Sequence, residues 1–342
     1  MTHDSNGRSV FKGVTLRDVA EQVAVSPFTV SVVLNGAKSN TRVSPATRER
    51  IMKAAQELGY QPNSLARALK RRSTNILGLY FGYGHLEPHD PFHAEVLTGL
   101  QRGCEANNKD LMIHYSFHRY SVDEVFSELV GGKIDGLVLI AAPGDPLVER
   151  VRGSHLAVVA MTDAIEGVPS VVADDAAGSL AIAEHLYAKG HRTVLYRSCP
   201  GQSDSASRRQ TAFEQRASDL GMTTIAGRTT DWKGLVSEEE AQLLASRKEL
   251  GVTAAVCWGD PSAHALLSFC KSSGISVPND LAVVGFNGIE SPVEPVHVLT
   301  TVRAGWSNVA QQAVHLLVKC LDGQEVPKLT VLPVDFFIGD TA

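Results

Sequence analysis

From residue 75 onward, short apolar runs bounded by turn residues alternate with stretches of helical period, and this alternation most constrains the fold. The runs are "ILGLYF" (76–81), "DLMIHYS" (110–116), "GLVLIA" (136–141), "LAVVAM" (156–161), "SVVAD" (170–174), "TVLYRS" (193–198), "AAVCW" (254–258), "LAVVGF" (281–286) and "LTTV" (299–302). Between most of them lie helix patterns such as "FHAEVLTGLQRGCEANN", "AGSLAIAEHLYAKG", "SRRQTAFEQRASDLG", "SEEEAQLLASRKELG" and "PSAHALLSFCKSSG". A strand that is apolar at nearly every position is buried on both faces. Such strands belong in parallel sheets covered by helices on each side. About 265 residues of this pattern suit two lobes better than one.

The opening stretch reads differently, as short helices without strands. In "TLRDVAEQV", Thr15 is a candidate N-cap, and Leu16, Val19, Ala20 and Val23 form one apolar face. In "SPFTVSVVLNG", Ser26 can cap, Pro27 suits the first helical position and Gly36 can end the helix. "SPATRERIMKAAQELGY" repeats that start with Ser44 and Pro45, buries Ile51, Ala54, Ala55 and Leu58, and stops at Gly59. The segment "YQPNSLARALKRRST" (60–74) then leads into the larger region and carries a short helix pattern with Leu65, Ala68 and Leu69 on one side.

Charge divides at the same place. Residues 1–75 hold 12 Lys/Arg against 5 Asp/Glu, a balance of +7, while the remainder holds 20 against 32, a balance of −12. A basic head on an acidic body suits a polyanionic partner. With 44% hydrophobic and 20% charged residues the chain can build a sizeable core. No run of about 18 apolar residues exists for a membrane span. The start "MTHDSNGRSVFKG" lacks the apolar centre of a signal peptide. The five cysteines are scattered, odd in number and without metal spacing, which reads as reduced thiols in a cytoplasm. "HLEPHDPFH" (85–93) holds three histidines, but no metal site is assigned to them and no cofactor is expected. No P-loop, G-x-S-x-G, H-E-x-x-H or G-x-G-x-x-G appears, so no enzymatic signature is present.

"SPFTVSVVLN" is the hardest stretch to place. On a helical wheel Val30, Val33 and Leu34 face inward, whereas Phe28, Ser31, Val32 and Asn35 lie opposite, with Thr29 at the flank. Apolar and polar residues sharing an outer face suit the second helix of a helix-turn-helix, whose outer face meets a major groove about 12 Å wide. There Phe28 and Val32 can contact thymine methyl groups, and Thr29, Ser31 and Asn35 can bond base edges or phosphates. The plainer alternative is a three-helix cap that merely packs on the body.

"VTLRDVAEQVAVSPFTVSVVLNG", followed by "RVSPATRERIMKAAQELGYQPNSLARALKRRSTNILGL", resembles the head of the lactose/galactose-repressor (LacI/GalR) family of bacterial transcription regulators. Further echoes are "DPFHAEVLTGL", "DGLVLI", "HLYAKGHRTV", "SRRQTAF", "LAVVGFNG" and "LTTVRAG", so the likeness covers nearly the whole chain. The resemblance implies an all-α helix-turn-helix head (1–61), a hinge helix and linker (62–74), and an α/β two-lobed core with parallel sheets like a periplasmic binding protein (75–342). The lobes are expected at roughly 75–173 plus 303–330 and 174–302 plus 331–340. It also implies a homodimer on a pseudo-palindromic operator in double-stranded DNA, controlled by a small-molecule effector, a sugar or derivative, with a nucleoside or purine as the alternative the family also offers. Leu69 aligns with the leucine that wedges into the central minor groove. Thr15, Ser26, Arg42, Asn63 and Ala66 join the outer-face residues as expected DNA contacts. One departure stands out: the family often carries arginine where this chain has Val32, and valine cannot make the bidentate contact to guanine.

Family positions in the core imply an effector site. Arg209 aligns with an arginine that clamps the ligand, and Trp232 falls where an aromatic ring stacks on it. Asp260 lies at a strand end beside a polar contact position, Asn287 stands where aspartate is common, and Asp90 and Phe92 begin the first lobe's first helix. Carboxylate, amide, guanidinium and flat ring together suit a polyol. Each has a plainer reading: Arg209 as part of a solvated pair with Arg208, Trp232 as core, Asp260 as a helix cap, Asn287 as a turn residue. Two rival functions share the same parts, a solute-binding protein of a transport system and a metabolite-binding enzyme with an accessory head.

Overall fold

The computed structural model describes residues 2–3, 9–10, 13–35, 42–71, 73–84, 86–87, 90–113, 121–289 and 297–342. The expected helix stop at Gly36, the loop "GAKSNT", Arg72 and the histidines at 85 and 89 lie outside them, as do the side chains of Asn35 and Ala66. The chain divides into two compact units, Met1–Thr74 and Asn75–Ala342.

In the first unit the two-residue strands β1 (Thr2–His3) and β2 (Ser9–Val10) pair antiparallel, where only helices are expected. Helix α1 (Leu16–Val23) opens with a reciprocal capping box between Thr15 and Asp18. It ends on Ala24, a non-glycine residue in the left-handed region at φ 52°. That tight turn leads into α2 (Pro27–Asn35), where Ser26 Oγ accepts from Thr29 N at 3.1 Å. Helix α3 (Pro45–Leu58) is capped by Ser44 and closed by Gly59 at φ 66°. Val19, Ala20, Val23, Val30, Val33, Ile51, Ala54 and Ala55 make one core among the three helices. Arg50 Nη2 donates to Val23 O at 2.7 Å, so α3 satisfies a carbonyl that the end of α1 leaves open. Helix α4 (Ser64–Arg71) ends the unit.

The second unit holds two six-stranded sheets. The first is ordered β13-β7-β6-β5-β3-β4, with every pairing parallel. Its strands are β3 (Ile76–Phe81), β4 (Asp110–Ile113), β5 (Gly136–Ile140), β6 (Ala157–Met161), β7 (Ser170–Ala173) and β13 (Leu329–Leu332). The second is ordered β14-β12-β11-β10-β8-β9, parallel except where β14 runs against β12. It comprises β8 (Thr193–Ser198), β9 (Thr223–Arg228), β10 (Val252–Cys257), β11 (Ala282–Asn287), β12 (Thr300–Arg303) and β14 (Asp335–Phe337). Helices α5 (Pro91–Ala106), α6 (Val122–Glu128), α7 (Pro146–Arg152) and α12 (Trp306–Leu321) pack with the first sheet, and a π-helical turn, Leu129–Lys133, follows α6. Helices α8 (Asp175–Ala188), α9 (Asp204–Asp219), α10 (Glu238–Ala245) and α11 (Asp260–Ser272) belong with the second.

The chain passes between lobes later than the expected boundaries at 303 and 331. Arg303 still pairs with Asn287 in the second sheet, and Val331 and Leu332 still pair with Val172 and Ala173 in the first. The crossings therefore follow Arg303 and Leu332. Among the described residues all five cysteines are free, and no helix is long and apolar enough to cross a membrane.

Candidate functional site

Parallel strands all deliver their C-terminal ends to one edge of a sheet, so residues just past those ends converge. In the second unit they line a cavity of about 910 Å³. The first lobe contributes Tyr83 after β3, Asp90, Phe92 and His93 at the start of α5, Asp163 after β6, and Trp306 at the start of α12. The second contributes Ser203, Ser205 and Arg209 around α9, Trp232 and Lys233 after β9, Trp258 and Asp260 after β10, and Asn287 at the end of β11. All six residues named from the sequence as effector contacts, Asp90, Phe92, Arg209, Trp232, Asp260 and Asn287, stand on this one wall.

Arg209 is only 4% exposed, so it is no solvated surface pair. Its Nε donates to Asp175 Oδ1 at 2.7 Å, and Nη1 donates to Trp258 O at 2.9 Å and Asn287 Oδ1 at 3.3 Å. The guanidinium sits 3.8 Å over the Phe286 ring. Asp175, itself buried, also takes Arg208 Nη2 at 2.6 Å, and Arg208 pairs with Asp204 as well, so two carboxylates balance the two arginines. Asn287 is more than a turn residue. It is buried, holds φ +121° and accepts from Arg209, a strained backbone position that places its amide on the cavity.

Trp232 is 41% exposed and therefore not core. Its ring lies edge-on to Tyr83 and to Trp258, each with centroids 5.5 Å apart. Phe92 meets Trp306 edge-on at 5.1 Å. Asp90 caps α5, Oδ1 accepting from Phe92 N and His93 N at 2.8 and 3.3 Å. The indole Nε1 atoms of Trp258 and Trp306 are buried and have no partner among the described residues. Unpaired buried donors of this kind cost about 1–3 kcal/mol each until an acceptor reaches them.

Asp260 is not the cap of its helix; Gly259 is, and Asp260 is the first helical residue. Its carboxylate instead accepts from Thr301 Oγ1 at 2.6 Å and Ile289 N at 3.1 Å, joining the ends of β11 and β12. Burial pushes its pKa up to about 6, against hydrogen bonds and the Arg209 charge that pull it down. An acid with a raised folded-state pKa binds its proton more tightly folded than unfolded. Its ionisation therefore removes stability as pH rises toward and through about 6, by at most about 3 kcal/mol. Wild type is expected to gain stability relative to Asp260→Asn as pH falls from 7.5 to about 5. Thermal melts of both proteins across that range check this, and a constant difference would refute it.

Sequence reasoning overlooked Asp163, which is the best-served acceptor in the cavity. It takes Tyr83 OH at 2.7 Å, Ser203 Oγ at 3.0 Å and Ser205 N at 2.8 Å, the last two from the opposite lobe. Burial first, and then the Asp163 charge, raise the Tyr83 phenol well above its ordinary value, so it remains a neutral donor. The available signal was positional: Tyr83, Asp163, Trp258 and Trp306 each fall within a few residues of a strand end.

Among the expected DNA contacts of the first unit whose side chains are described, Val32 does not face outward. Val32 is 8% exposed, so it is not the outward methyl contact its wheel position suggested. The eight residues of α4 display Leu69 at 84% exposure, and Phe28 on α2 is 58% exposed. Arg42 and Asn63 are exposed, Ser31 is half-buried, and Thr15, Ser26 and Thr29 are engaged in helix caps. No group of three or more potential metal ligands occurs among the described residues.

Two family models match the chain: bacterial regulatory proteins of the lacI family over residues 15–63, and the periplasmic binding protein-like domain over residues 183–341. The HTH-type transcriptional repressor CytR of Escherichia coli (strain K12) is 28% identical over 321 residues, covering 91% of each chain. MelR of Bacillus subtilis (strain 168), also an HTH-type transcriptional repressor, is 26% identical, covering 95% of this chain and 96% of its own. The lac repressor dimer bound to operator and the anti-inducer ONPF superposes with a TM-score of 0.82 at 24% identity, over 96% of this chain and 99% of that one. The transcriptional regulator CelR in its cellobiose complex follows at 0.68 and 24%, over 96% of this chain and all of that one. A capped helix-turn-helix unit, a two-lobed parallel core and full-length likeness to repressors agree: the chain joins a lacI-family helix-turn-helix domain to a periplasmic binding protein-like domain.

Proposed function

We propose that the chain is a transcriptional repressor that binds a pseudo-palindromic operator as a homodimer and is controlled by an uncharged polyhydroxylated metabolite, a sugar or sugar derivative. The observation that carries the effector half is the cavity wall: Arg209, Asn287, Asp260 and Asp163 beside Tyr83, Trp232, Trp258 and Trp306. Fixed polar groups orient hydroxyls, and flat rings cover the apolar face of a sugar ring. Because Arg209 and its neighbour Arg208 are balanced by Asp175 and Asp204, the wall offers a guanidinium donor without a surplus positive charge to attract an anion. Solved relatives support the class: CelR is solved with cellobiose, and the lac repressor with ONPF. Control follows by linkage, since a ligand that binds one lobe arrangement better shifts the chain toward it, with coupling commonly about 1–3 kcal/mol.

Binding without turnover separates this reading from an enzyme, and duplex binding separates it from a solute-binding protein. The test is retention of a random-sequence duplex pool at rising salt, with and without each sugar from a panel. Affinity is expected to fall by about 10³-fold or more between 50 and 200 mM salt, because the basic head releases counterions from the phosphates. A sugar of the right class is expected to change the affinity and to emerge chemically unaltered. A flat salt profile, or consumption of the sugar, would overturn the proposal.

A further inference from the structure

We propose that Phe28 reads the C5-methyl group of a pyrimidine in the major groove, making it the principal base-specificity residue of α2. The inference rests on the DNA-binding reading above and deepens it.

No charged residue occurs between Gln22 and Ala37, so this helix cannot place a guanidinium, ammonium or carboxylate on a base edge. The polar side chains in its first turn are occupied with each other: Ser26 Oγ accepts from Thr29 N at 3.1 Å and bonds Thr29 Oγ1 at 2.9 Å. Val30 and Val33 belong to the core, and Val32 is buried. What remains outward in the first turn is Pro27, the short ring that opens the helix, and the larger Phe28 ring, 58% exposed.

A single exposed apolar side chain is ordinarily unremarked. This one stands at the N-terminal end of the second helix of a helix-turn-helix, where side chains meet base edges. The surrounding 75 residues carry a balance of +7, which complements the phosphates on either side of the groove.

Every base edge in the major groove presents donors and acceptors, and the one apolar group among the four standard bases is the thymine methyl. A phenyl ring seated on that methyl buries apolar surface on both partners. Seated on the acceptors of guanine, or on the donor of cytosine, the same ring strips water and returns no hydrogen bond. Phe28 therefore discriminates twice, by attraction to the methyl and by a penalty on bare polar edges. The same chemistry admits 5-methylcytosine.

The test begins with duplexes selected by the full chain from a random pool. Each thymine is then replaced by uracil, which removes the methyl and leaves pairing unchanged. One thymine per half-site is expected to weaken binding about fourfold when replaced, which corresponds to about 0.8 kcal/mol for one buried carbon. Replacing both is expected to weaken it about sixteen-fold. In Phe28→Ala the uracil effect is expected to vanish with the melting temperature unmoved, and in Phe28→Leu to persist. Indifference to uracil at every thymine, or a uracil effect that survives Phe28→Ala, would overturn the assignment while leaving DNA binding intact. Failure to retain any duplex at low salt would overturn the regulator reading as well.

Discussion

Leu69→Ala is expected to weaken binding to a selected duplex by about 10³-fold while leaving the melting temperature unchanged. The side chain is 84% exposed on α4, and exposed substitutions away from caps and buried networks usually change stability by less than about 0.5 kcal/mol. An eight-residue helix is too short to persist by propensity alone, so α4 needs a partner surface to stay ordered. On duplex, an apolar wedge inserted between base steps exchanges stacking for a kinked DNA that meets more protein. Burying a leucine contributes about 2 kcal/mol, and a homodimer presents two, so the loss is about 4 kcal/mol. Binding isotherms and thermal melts, run side by side, measure the two quantities. An isotherm that superposes on wild type would remove the wedge from the account.

Arg197→Met carries the largest expected effect on stability. Arg197 is fully buried in β8 and ion-paired with the buried Glu240 through Nε at 2.5 Å and Nη2 at 2.8 Å. It also donates to Gly234 O at 3.0 Å and to Ser262 O and Oγ at 2.5 and 2.8 Å. Gly234 lies so close to Ser262 that an added Cβ would come within 2.3 Å of its Cα. One guanidinium thus fastens the turn that carries Trp232 and Lys233 to the start of α11. Removing it strands a buried carboxylate, which typically costs about 3–5 kcal/mol. For a unit of this size that corresponds to about 10 °C in melting temperature. The double variant Arg197→Met/Glu240→Leu is expected to recover most of the loss, because no unpaired charge remains. A single variant that melts within about 2 °C of wild type would show that the pair contributes little.

Much of the fold was legible because its central strands are buried on both faces. β3, β5, β6, β8, β10 and β11 present mostly apolar runs, and the assigned spans fall within two residues of those observed. In the second unit the strands left unassigned, β9, β13 and β14, all lie at sheet edges. An edge strand has one free side and shows solvent more often, so "TTIAGR", "LTVL" and "DFF" carry mixed or very short signals. The head was equally legible through its caps, since Thr15, Ser26 and Ser44 act within three residues of themselves. Val32 was misplaced because a wheel assigns a face to a residue without knowing what else covers it.

Local sequence alone determined the helix caps, the inward faces of α1 and α3, the parallel class of the core and the charge division near residue 75. Those features depend on neighbours a few positions away, or on composition. The partners of buried charges were decided only by tertiary structure: Asp175 with Arg209 across 34 residues, Glu240 with Arg197 across 43, and Asp163 with Ser203 across 40. A charge out of water must find its complement wherever the fold brings one, and sequence distance carries no record of that meeting.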